Sequence, residues 1–356
     1  MTSGDAGPRC VEIDAHPESR VQNSQPHGIG RVAALDGVVA WNNLGRNVVF
    51  AGEDLKPRAV YDETAFTDDE PSQYDLDVHA ILQPAGIGVI VTLNHFGTAR
   101  AFDAAAIRRP GPMRRVAPVW TRSFVADVER AVVAGDRLIG SRPRETRFPG
   151  LLVSEPLAKD GTRADLDVTV ALDQWGTVTA LAVMGGDVVL VGGERRVAAA
   201  PLADGAVGRL RWEADVDFEP AFLSCAGGLV WAAGSETGAV DDYDWEAQQG
   251  GGFVALDQVD GRVVLRGRFD HDLAWGNGGV ALALVPGALC GFGRRGELHV
   301  FDARDGTLVT IGAPIADASL GLAHATSGAD HLVFGYNRGG YRLHAVPVSS
   351  VRRLLP

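Results

Sequence analysis

Residues 298–309 read Leu-His-Val-Phe-Asp-Ala-Arg-Asp-Gly-Thr-Leu-Val, and residues 253–264 read Phe-Val-Ala-Leu-Asp-Gln-Val-Asp-Gly-Arg-Val-Val. In both stretches apolar and polar side chains alternate up to an aspartate, and an Asp-Gly turn then leads into a second β-rich run. Alternation with a period of two is typical of a strand, and Asp-Gly is a strong turn signal. A related stretch, Arg100-Ala-Phe-Asp103, lies earlier in the chain. These stretches therefore predict a recurring β-hairpin.

The repeat extends over most of the chain. Each unit has a β-rich run, a turn with glycine or aspartate, a second run that ends in a polar loop, and a third run. Seven first strands are predicted near Val32, Asp77, Asp127, Val178, Phe222, Gly279 and Leu320, with a period of about 48 residues. Such a period is typical of a propeller blade, because a twisted sheet buries both faces only between two neighbours. We therefore expect an all-β fold, a single seven-bladed β-propeller of four-stranded antiparallel blades.

The two ends of the chain are expected to meet in one sheet. Residues 349–356 make a poor fourth strand for the last unit, whereas Cys10–Asp14 is rich in β-formers. We expect this N-terminal segment to supply the outer strand and to close the ring. The predicted division is an arm with the ring-closing strand, residues 1–31, and a single propeller domain, residues 32–356. No long amphipathic helix is predicted, which disfavours a doubly wound α/β fold.

Two of the repeats carry a resemblance to known proteins. Val300-Phe-Asp-Ala-Arg-Asp-Gly-Thr-Leu and Val254-Ala-Leu-Asp-Gln-Val-Asp-Gly-Arg-Val resemble the outer-strand motif of YVTN-type and quinoprotein-like β-propellers. The resemblance implies the fold. No unit shows the Gly-His and Trp-Asp pattern of WD40 repeats, and the tryptophan docking motif of quinoproteins is missing, so no quinone cofactor is implied. Because propellers include lyases, hydrolases, oxygenases and scaffolds, the fold implies little about chemistry.

Charge and cysteine content narrow the classes of function. The chain of 356 residues has a net charge of −12, which disfavours nucleic-acid binding because a phosphate backbone would be repelled. No stretch has the length and hydrophobicity of a membrane helix, and the N-terminus lacks the apolar core of a secretory signal. Cys10, Cys225 and Cys290 are odd in number and far apart, which indicates neither a disulfide framework nor a zinc knuckle. We expect a cytoplasmic protein that binds neither nucleic acid nor membrane.

Arginines recur in the loops between second and third strands, on the face where the channel is predicted to open. Guanidinium groups pair with carboxylate or phosphate oxygens through two hydrogen bonds, so the predicted partner is a small anionic molecule or an acidic protein surface. Alternatively, these arginines pair with acidic residues of the same loops. The candidate ligand-binding residues are Asn94, Arg142, Arg144, Arg294, Tyr243, Trp245, Asn337 and Arg338.

The longest insertion, residues 235–252, contains Tyr243 and Trp245 among acidic side chains. Loops of this length in compact domains usually have a function or are disordered. We favour a lid over the channel mouth, while an oxygen-rich cation site and a solvated loop remain open. A third class of function, a protein-interaction scaffold, would instead have an exposed apolar or aromatic patch around Tyr243, Trp245 and Tyr336.

Histidines in the links between units suggest a different class of protein. His27, His79 and His271 are predicted near the channel mouth, where imidazoles from several blades can hold one divalent ion. Glu129 and His95 are the candidate catalytic residues. In this alternative the protein is a metal-dependent lyase or hydrolase that acts on a carboxylate-bearing small molecule, with the divalent metal ion as its cofactor and as a Lewis acid. Solvated or hydrogen-bonded histidines remain the simpler interpretation.

Overall fold

The computed structural model describes most of the chain as β-structure. The described residues are 11–14, 29–43, 47–52, 54–62, 78–94, 97–124, 130–142, 150–161, 167–172, 178–186, 188–203, 206–235, 251–269, 275–276, 279–280, 282–292, 297–311, 323–327, 330–336 and 342–355. Within these ranges two short helices accompany the strands.

The strands form antiparallel sheets in the order in which they occur along the chain. The first strand is β1 (Val11–Asp14). Blade 1 consists of β2 (Ile29–Leu35), β3 (Val38–Asn43), β4 (Asn47–Gly52) and β5 (Pro57–Asp62). Blade 2 consists of β6 (Val78–Leu82), β7 (Val89–Asn94), β8 (Thr98–Asp103) and, after helix α1 (Ala104–Arg108) and strand β9 (Arg114–Arg115), β10 (Trp120–Ser123). Blade 3 consists of β11 (Arg130–Ala134), β12 (Arg137–Arg142), β13 (Gly150–Pro156) and β14 (Asp167–Leu172).

The second half of the chain continues this pattern. Blade 4 consists of β15 (Ala180–Met184), β16 (Val188–Gly193), β17 (Arg196–Ala203), β18 (Ala206–Val207) and β19 (Trp212–Asp215). Blade 5 consists of β20 (Glu219–Ala226), β21 (Leu229–Ser235), β22 (Gly251–Asp257) and β23 (Val263–Phe269), and is followed by a hairpin of β24 (Trp275–Gly276) and β25 (Gly279–Val280). Blade 6 consists of β26 (Leu282–Val285), β27 (Ala288–Phe292), β28 (Leu298–Asp302) and β29 (Leu308–Ile311). The last elements are β30 (Ala323–Ser327), β31 (His331–Tyr336), β32 (Arg342–Pro347) and helix α2 (Val348–Arg352).

Six blades, rather than the predicted seven, are each built from one continuous part of the described chain. The remaining four-stranded sheet, which we call the terminal sheet, combines β30, β31 and β32 with β1. It differs from the blades because residues 348–352 form a helix instead of a fourth strand. β1 pairs antiparallel with β32 from Val11 opposite Ala345 to Asp14 opposite Arg342. The predicted count is therefore wrong, while the all-β class and the pairing of the two chain ends are confirmed.

The first strands of the sheets are neighbours in chain order around a closed ring. β2 contacts β6, and the contacts continue through β11, β15, β20, β26 and β30 back to β2. This arrangement defines a β-propeller. The sixth first strand begins at Leu282 and not near Gly279, because Gly279 pairs with Gly276 in the preceding hairpin. The predicted domain boundary between residues 31 and 32 stays a prediction.

The core lies between neighbouring sheets. Phe50 and Tyr61 of blade 1 pack against Ile90 and Phe102 of blade 2, and the rings of Phe50 and Phe102 lie 5.4 Å apart. Because each blade is covered on both faces, the second strands β7, β16 and β27 are buried at every position. A polar side chain near the end of such a strand is therefore placed between two blades.

The repeated Asp-Gly motif forms the turn between the third and fourth strands. Asp302, which is 1% exposed, accepts hydrogen bonds from the backbone N–H of Arg304 (2.8 Å) and from its Nη2 (2.5 Å). The N–H of Gly306 donates to the Asp302 carbonyl at 2.8 Å, and the φ of Gly306 is 75°, a conformation that favours glycine. The motif thus closes the hairpin through local hydrogen bonds.

We expect the Asp302→Asn variant to lose about 1 kcal/mol of stability at neutral pH. The Arg304 guanidinium, followed by the backbone N–H of Arg304, holds the pKa of Asp302 below its ordinary value of 3.8. A carboxyl group with a lowered pKa contributes stability above its unfolded pKa and loses that contribution as the pH falls through the folded pKa. The stability difference from wild type should therefore shrink below about pH 4 in urea unfolding.

The matched control for this variant is Asp257→Asn, because Val259 stands in this turn where Arg304 stands in the other. It should show the effect of changing the turn carboxylate where, among the described residues, no arginine side chain is paired with it. A loss for Asp302→Asn that is the same at pH 7 and in strong acid would contradict the assignment.

Candidate functional site

One end of the ring carries the loops between second and third strands, and we call it the loop face. At this end, four second strands finish with polar side chains that are at most 4% exposed: Asn42, Asn94, Ser141 and Ser235. At the opposite end, second strands begin with buried apolar residues such as Val38, Val89 and Val188. In these four blades the second strand is therefore apolar at one end and polar at the loop face, whereas β27 of blade 6 ends there with the buried Phe292.

The blade 2 side of one interface is the richest in buried polar groups. Thr92 and Arg100 are register partners on β7 and β8, and both share a face with Phe102, which packs against blade 1. Asn94 lies on the same face of β7, two residues further along. Thr92 and Asn94 are each 2% exposed and Arg100 is 6% exposed. A guanidinium group is thus buried at the interface between blades 1 and 2.

Blade 1 contributes Asn42 to this interface. Asn42 shares a face of β3 with Val38 and Ala40, which pack against blade 2. Its side chain is fully buried, and within the described part of the chain neither its Oδ1 nor its Nδ2 has a hydrogen-bond partner. Leaving buried polar atoms unpaired costs about 1–3 kcal/mol each, so such an amide calls for an explanation. We call Asn42, Thr92, Asn94 and Arg100 the blade 1–2 polar layer.

Asn94, a predicted ligand-binding residue, shapes its own loop. Its Oδ1 accepts a hydrogen bond from the Thr98 N–H (2.7 Å), and its carbonyl accepts one from the Gly97 N–H (3.1 Å). The Phe124 N–H in turn donates to the Gly97 carbonyl at 2.6 Å. The φ of Gly97 is 75°, so glycine permits this return of the chain. Contact of Asn94 with a ligand stays a prediction.

A second polar arrangement on the loop face joins blades 4 and 5. Glu194 and Arg195 form a two-residue turn with φ values of 50° and 58°, which are unusual for residues with side chains. The Glu219 carboxylate accepts the N–H of Glu194 (2.8 Å) and the N–H of Arg195 (3.2 Å). Thr179 Oγ1 donates to the same carboxylate at 3.2 Å. Glu219 therefore holds the turn in its strained conformation across the blade interface.

The arginine that follows this turn is paired within its own blade. Arg196 forms ion pairs with Glu213 (2.7 Å) and Glu194 (3.3 Å). These contacts match the alternative interpretation, in which loop arginines neutralise nearby acidic residues. The blade 1–2 polar layer also contains an arginine, Arg100, and this one is buried, at 6% exposed.

Most of the predicted site residues lie outside the described part of the chain: Glu129, His95, Arg144, Arg294, Tyr243, Trp245, Asn337, Arg338, His27 and His271. Two others are described by strand position alone. His79 lies in β6 at a break in register between Val78 and Ala80, and Arg142 ends β12 opposite Leu151. The predicted arginine, aromatic and histidine sites thus stay predictions.

Metal ligands and membrane spans can be assessed over the described ranges only. There, no group of three or more His, Cys, Asp or Glu residues is placed to hold a metal ion. Because the predicted histidine ligands fall elsewhere or lack described side chains, the metal centre stays a prediction. Among the described residues, no helix has the length and hydrophobicity needed to cross a membrane.

The two described cysteines are thiols in strands. Burial raises the pKa of Cys290 to about 12, and burial also raises the pKa of Cys225. The Cys225 Sγ donates to the Val183 carbonyl at 3.4 Å. A raised pKa leaves little thiolate at neutral pH, so neither side chain has the properties of a catalytic nucleophile.

Four buried polar residues were not recognised as a site in the sequence: Asn42, Thr92, Arg100 and Ser141. Arg100 carried the clearest signal, because the alternation in Arg100-Ala-Phe-Asp103 places it on the same face as Phe102. A charged residue on a predicted buried face is uncommon and marks either a paired charge or a binding site.

Comparison with known proteins supports the β-propeller fold but does not assign the chain to a family. No protein-family model and no curated protein matches this chain. Among solved structures, the chain is similar to BamB from Moraxella catarrhalis, with a TM-score of 0.52 and 14% identity over 96% of each chain. It is also similar to the computationally designed Ika8 protein, with a TM-score of 0.51 and 13% identity over 91% of this chain and 98% of that one. At such identities the likeness shows the propeller fold alone.

Proposed function

We propose that this β-propeller is a binding protein whose loop face captures a small anionic molecule at the blade 1–2 polar layer. The observation that carries the proposal is the buried amide of Asn42, which has no hydrogen-bond partner among the described residues and lies at the same interface as the buried Arg100. A buried guanidinium favours a negatively charged neighbour, and it matches the two oxygens of a carboxylate or phosphate.

The chemistry of the ligand follows from the groups present. Arg100 supplies positive charge and N–H donors, while Asn42 supplies two donors and one acceptor. These groups suit a small acid that carries a carboxylate or phosphate together with a hydroxyl or amide. A cytoplasmic location belongs to the same proposal and is supported by the two unpaired thiols.

We expect the Asn42→Leu variant to be more stable than wild type and unable to bind. Removing a buried amide that has no partner among the described residues relieves a desolvation cost of about 1–3 kcal/mol, and leucine is close to asparagine in shape. The ligand would lose its partner at the same time, which is the usual opposition between stability and function at a binding site. Thermal unfolding with acetate, succinate, citrate and inorganic phosphate measures both effects.

The matched control is Ser141→Ala. The Ser141 Oγ is also buried without a partner in the described residues, but it lies in blade 3. This variant should keep any ligand-induced rise in Tm. The proposal fails if none of the four anions raises the Tm of the wild-type protein, or if Asn42→Leu responds to them as wild type does.

A further inference from the structure

The connection between the third and fourth strands of blade 2 departs from the repeat. In blades 5 and 6 this connection is a short turn, residues 258–262 and 303–307, whereas in blade 2 it spans residues 104–119, which we call the strap. Within the strap, β9 pairs parallel with β5 of blade 1, and the Val116 N–H donates to the Val60 carbonyl at 2.9 Å. The strap therefore crosses from blade 2 to the outer edge of blade 1.

Positive charge is concentrated on and beside the strap. Residues 104–119 contain four arginines and no aspartate or glutamate, although the whole chain has a net charge of −12. Two described ion pairs join neighbouring aspartates to these cations: Asp54 is 2.9 Å from Arg58, and Asp36 is 3.6 Å from Arg108. The basic strap surface, as we call it, consists of Lys56, Arg58, Arg108, Arg109, Arg114 and Arg115.

Hydrogen bonds to backbone carbonyls hold several of these guanidinium groups in place. Arg114 Nη1 donates to the Arg109 carbonyl (3.1 Å), and Arg58 Nη1 donates to the Arg108 carbonyl (3.4 Å). Arg108 Nε donates to the Asp36 carbonyl at 3.0 Å. Side chains that are already ordered lose less entropy when a partner binds. These three guanidinium groups are thus pre-organised, and Arg109 and Arg115 lie exposed beside them in the chain.

Apolar groups lie among the cations. Pro110 and Pro112 are exposed, and Val119 is 53% exposed. An interface that combines arginine with exposed apolar side chains suits a polypeptide better than a sugar-phosphate backbone. The overall negative charge of the chain also opposes a long polyanion, whereas a short acidic segment meets mainly the local charge.

We propose that the basic strap surface docks an acidic polypeptide segment of a partner protein, in which carboxylates alternate with apolar side chains. Carboxylates would pair with Arg109 and Arg115, and an apolar side chain would pack on the proline and valine surface. This inference is independent of the anion site on the loop face, because the strap lies on the outer edge of blade 1.

Fluorescence anisotropy of the full chain tests the inference with three labelled probes of equal length. The first is a peptide that alternates glutamate with leucine, the second has glutamine in place of glutamate, and the third is single-stranded oligothymidylate. We expect the acidic peptide to bind most tightly, with an affinity that falls as salt is raised. The Arg109→Glu/Arg115→Glu variant should weaken this binding about tenfold or more.

The matched control is Arg262→Glu/Arg268→Glu, which places the same charge change on exposed arginines at the outer part of blade 5. It should retain peptide binding to within about twofold, because at moderate salt a change of charge far from the binding surface has little effect on affinity. Arg109→Gln/Arg115→Gln removes the charge without reversing it and should show an intermediate loss, and thermal unfolding verifies that each variant folds. The inference is overturned if the wild-type protein fails to bind the acidic peptide, if the oligonucleotide binds more tightly, or if the blade 1 and blade 5 variants behave alike.

Discussion

The Glu155→Gln variant is expected to unfold with a free energy about 3–5 kcal/mol lower than that of wild type. Glu155, in β13, is fully buried, and its Oε1 lies 3.2 Å from Nη2 of Arg122, in β10. The ion pair joins blade 3 to blade 2. Arg122 is only 12% exposed, so loss of the carboxylate removes this counter-charge from a largely buried positive charge. Breaking one side of such a pair costs far more than the pair itself contributes.

The surroundings of Arg122 leave it little freedom to escape to solvent. Its guanidinium lies 4.9 Å from the centre of the Trp120 ring, and Nη2 also donates to the Pro156 carbonyl at 3.3 Å. These contacts hold the cation in place whether or not Glu155 is charged. The midpoint of thermal unfolding should fall by roughly 10 °C, at about 2–4 °C per kcal/mol for a chain of this size.

A double-mutant cycle checks this explanation. Arg122→Met/Glu155→Gln removes the charge as well as its partner, so it should recover a large part of the stability that Glu155→Gln loses. Glu213→Gln is the matched control, because the pair between Glu213 and Arg196 is more exposed and should contribute less than about 1 kcal/mol. Equal losses for Glu155→Gln and Glu213→Gln would show that burial of the first pair has no energetic consequence.

Removal of residues 1–15 should destabilise the protein by an amount on the order of 3 kcal/mol or more. This deletion removes β1, which pairs with β32 at four positions, from Val11 opposite Ala345 to Asp14 opposite Arg342. It leaves a three-stranded terminal sheet with an exposed edge of unpaired backbone groups, where aggregation is also favoured. Leu343 and Ala345 of β32 belong to the core shared with blade 1, so the loss spreads to the ring closure.

A shorter deletion and an added peptide test whether the loss of stability is due to β1. A deletion of residues 1–8 keeps β1 and should unfold as wild type does. A synthetic peptide of residues 9–16, added to the longer deletion, should restore part of the lost stability by pairing with β32. If the longer deletion unfolds at the wild-type midpoint, the pairing of the chain ends contributes nothing to closure.

The repeat was readable from the sequence because the signals that define it are local. Alternation in Phe253–Asp257 and Leu298–Asp302 corresponds to β22 and β28, and the two Asp-Gly turns connect them to β23 and β29. The count of complete blades was not local, because the last sheet takes its outer strand, β1, from the other end of the chain. Only six sheets are each built from one continuous part of the described chain.

The candidate site was predictable only in part. Asn94 was recognised because it lies in a polar loop that contains glycine, and the structure shows that it shapes this loop. The position of Asn42 at the interface between blades 1 and 2 was not predictable, because sequence alone does not show which face of β3 this side chain occupies. A shift of register by one residue moves every side chain of a strand to the other face.

The sequence by itself determined the class of fold, the approximate positions of most first strands and the two Asp-Gly turns, because period-two alternation and Asp-Gly turns act within a few residues. Tertiary structure alone decided which polar side chains meet. Asn42 and Arg100 share an interface because neighbouring sheets pack face to face, and Arg58 donates to the Arg108 carbonyl of the strap because the strap crosses to β5. These contacts join residues that are far apart in the chain. They depend on strand register and on the packing of one sheet against the next, and no local sequence pattern encodes either.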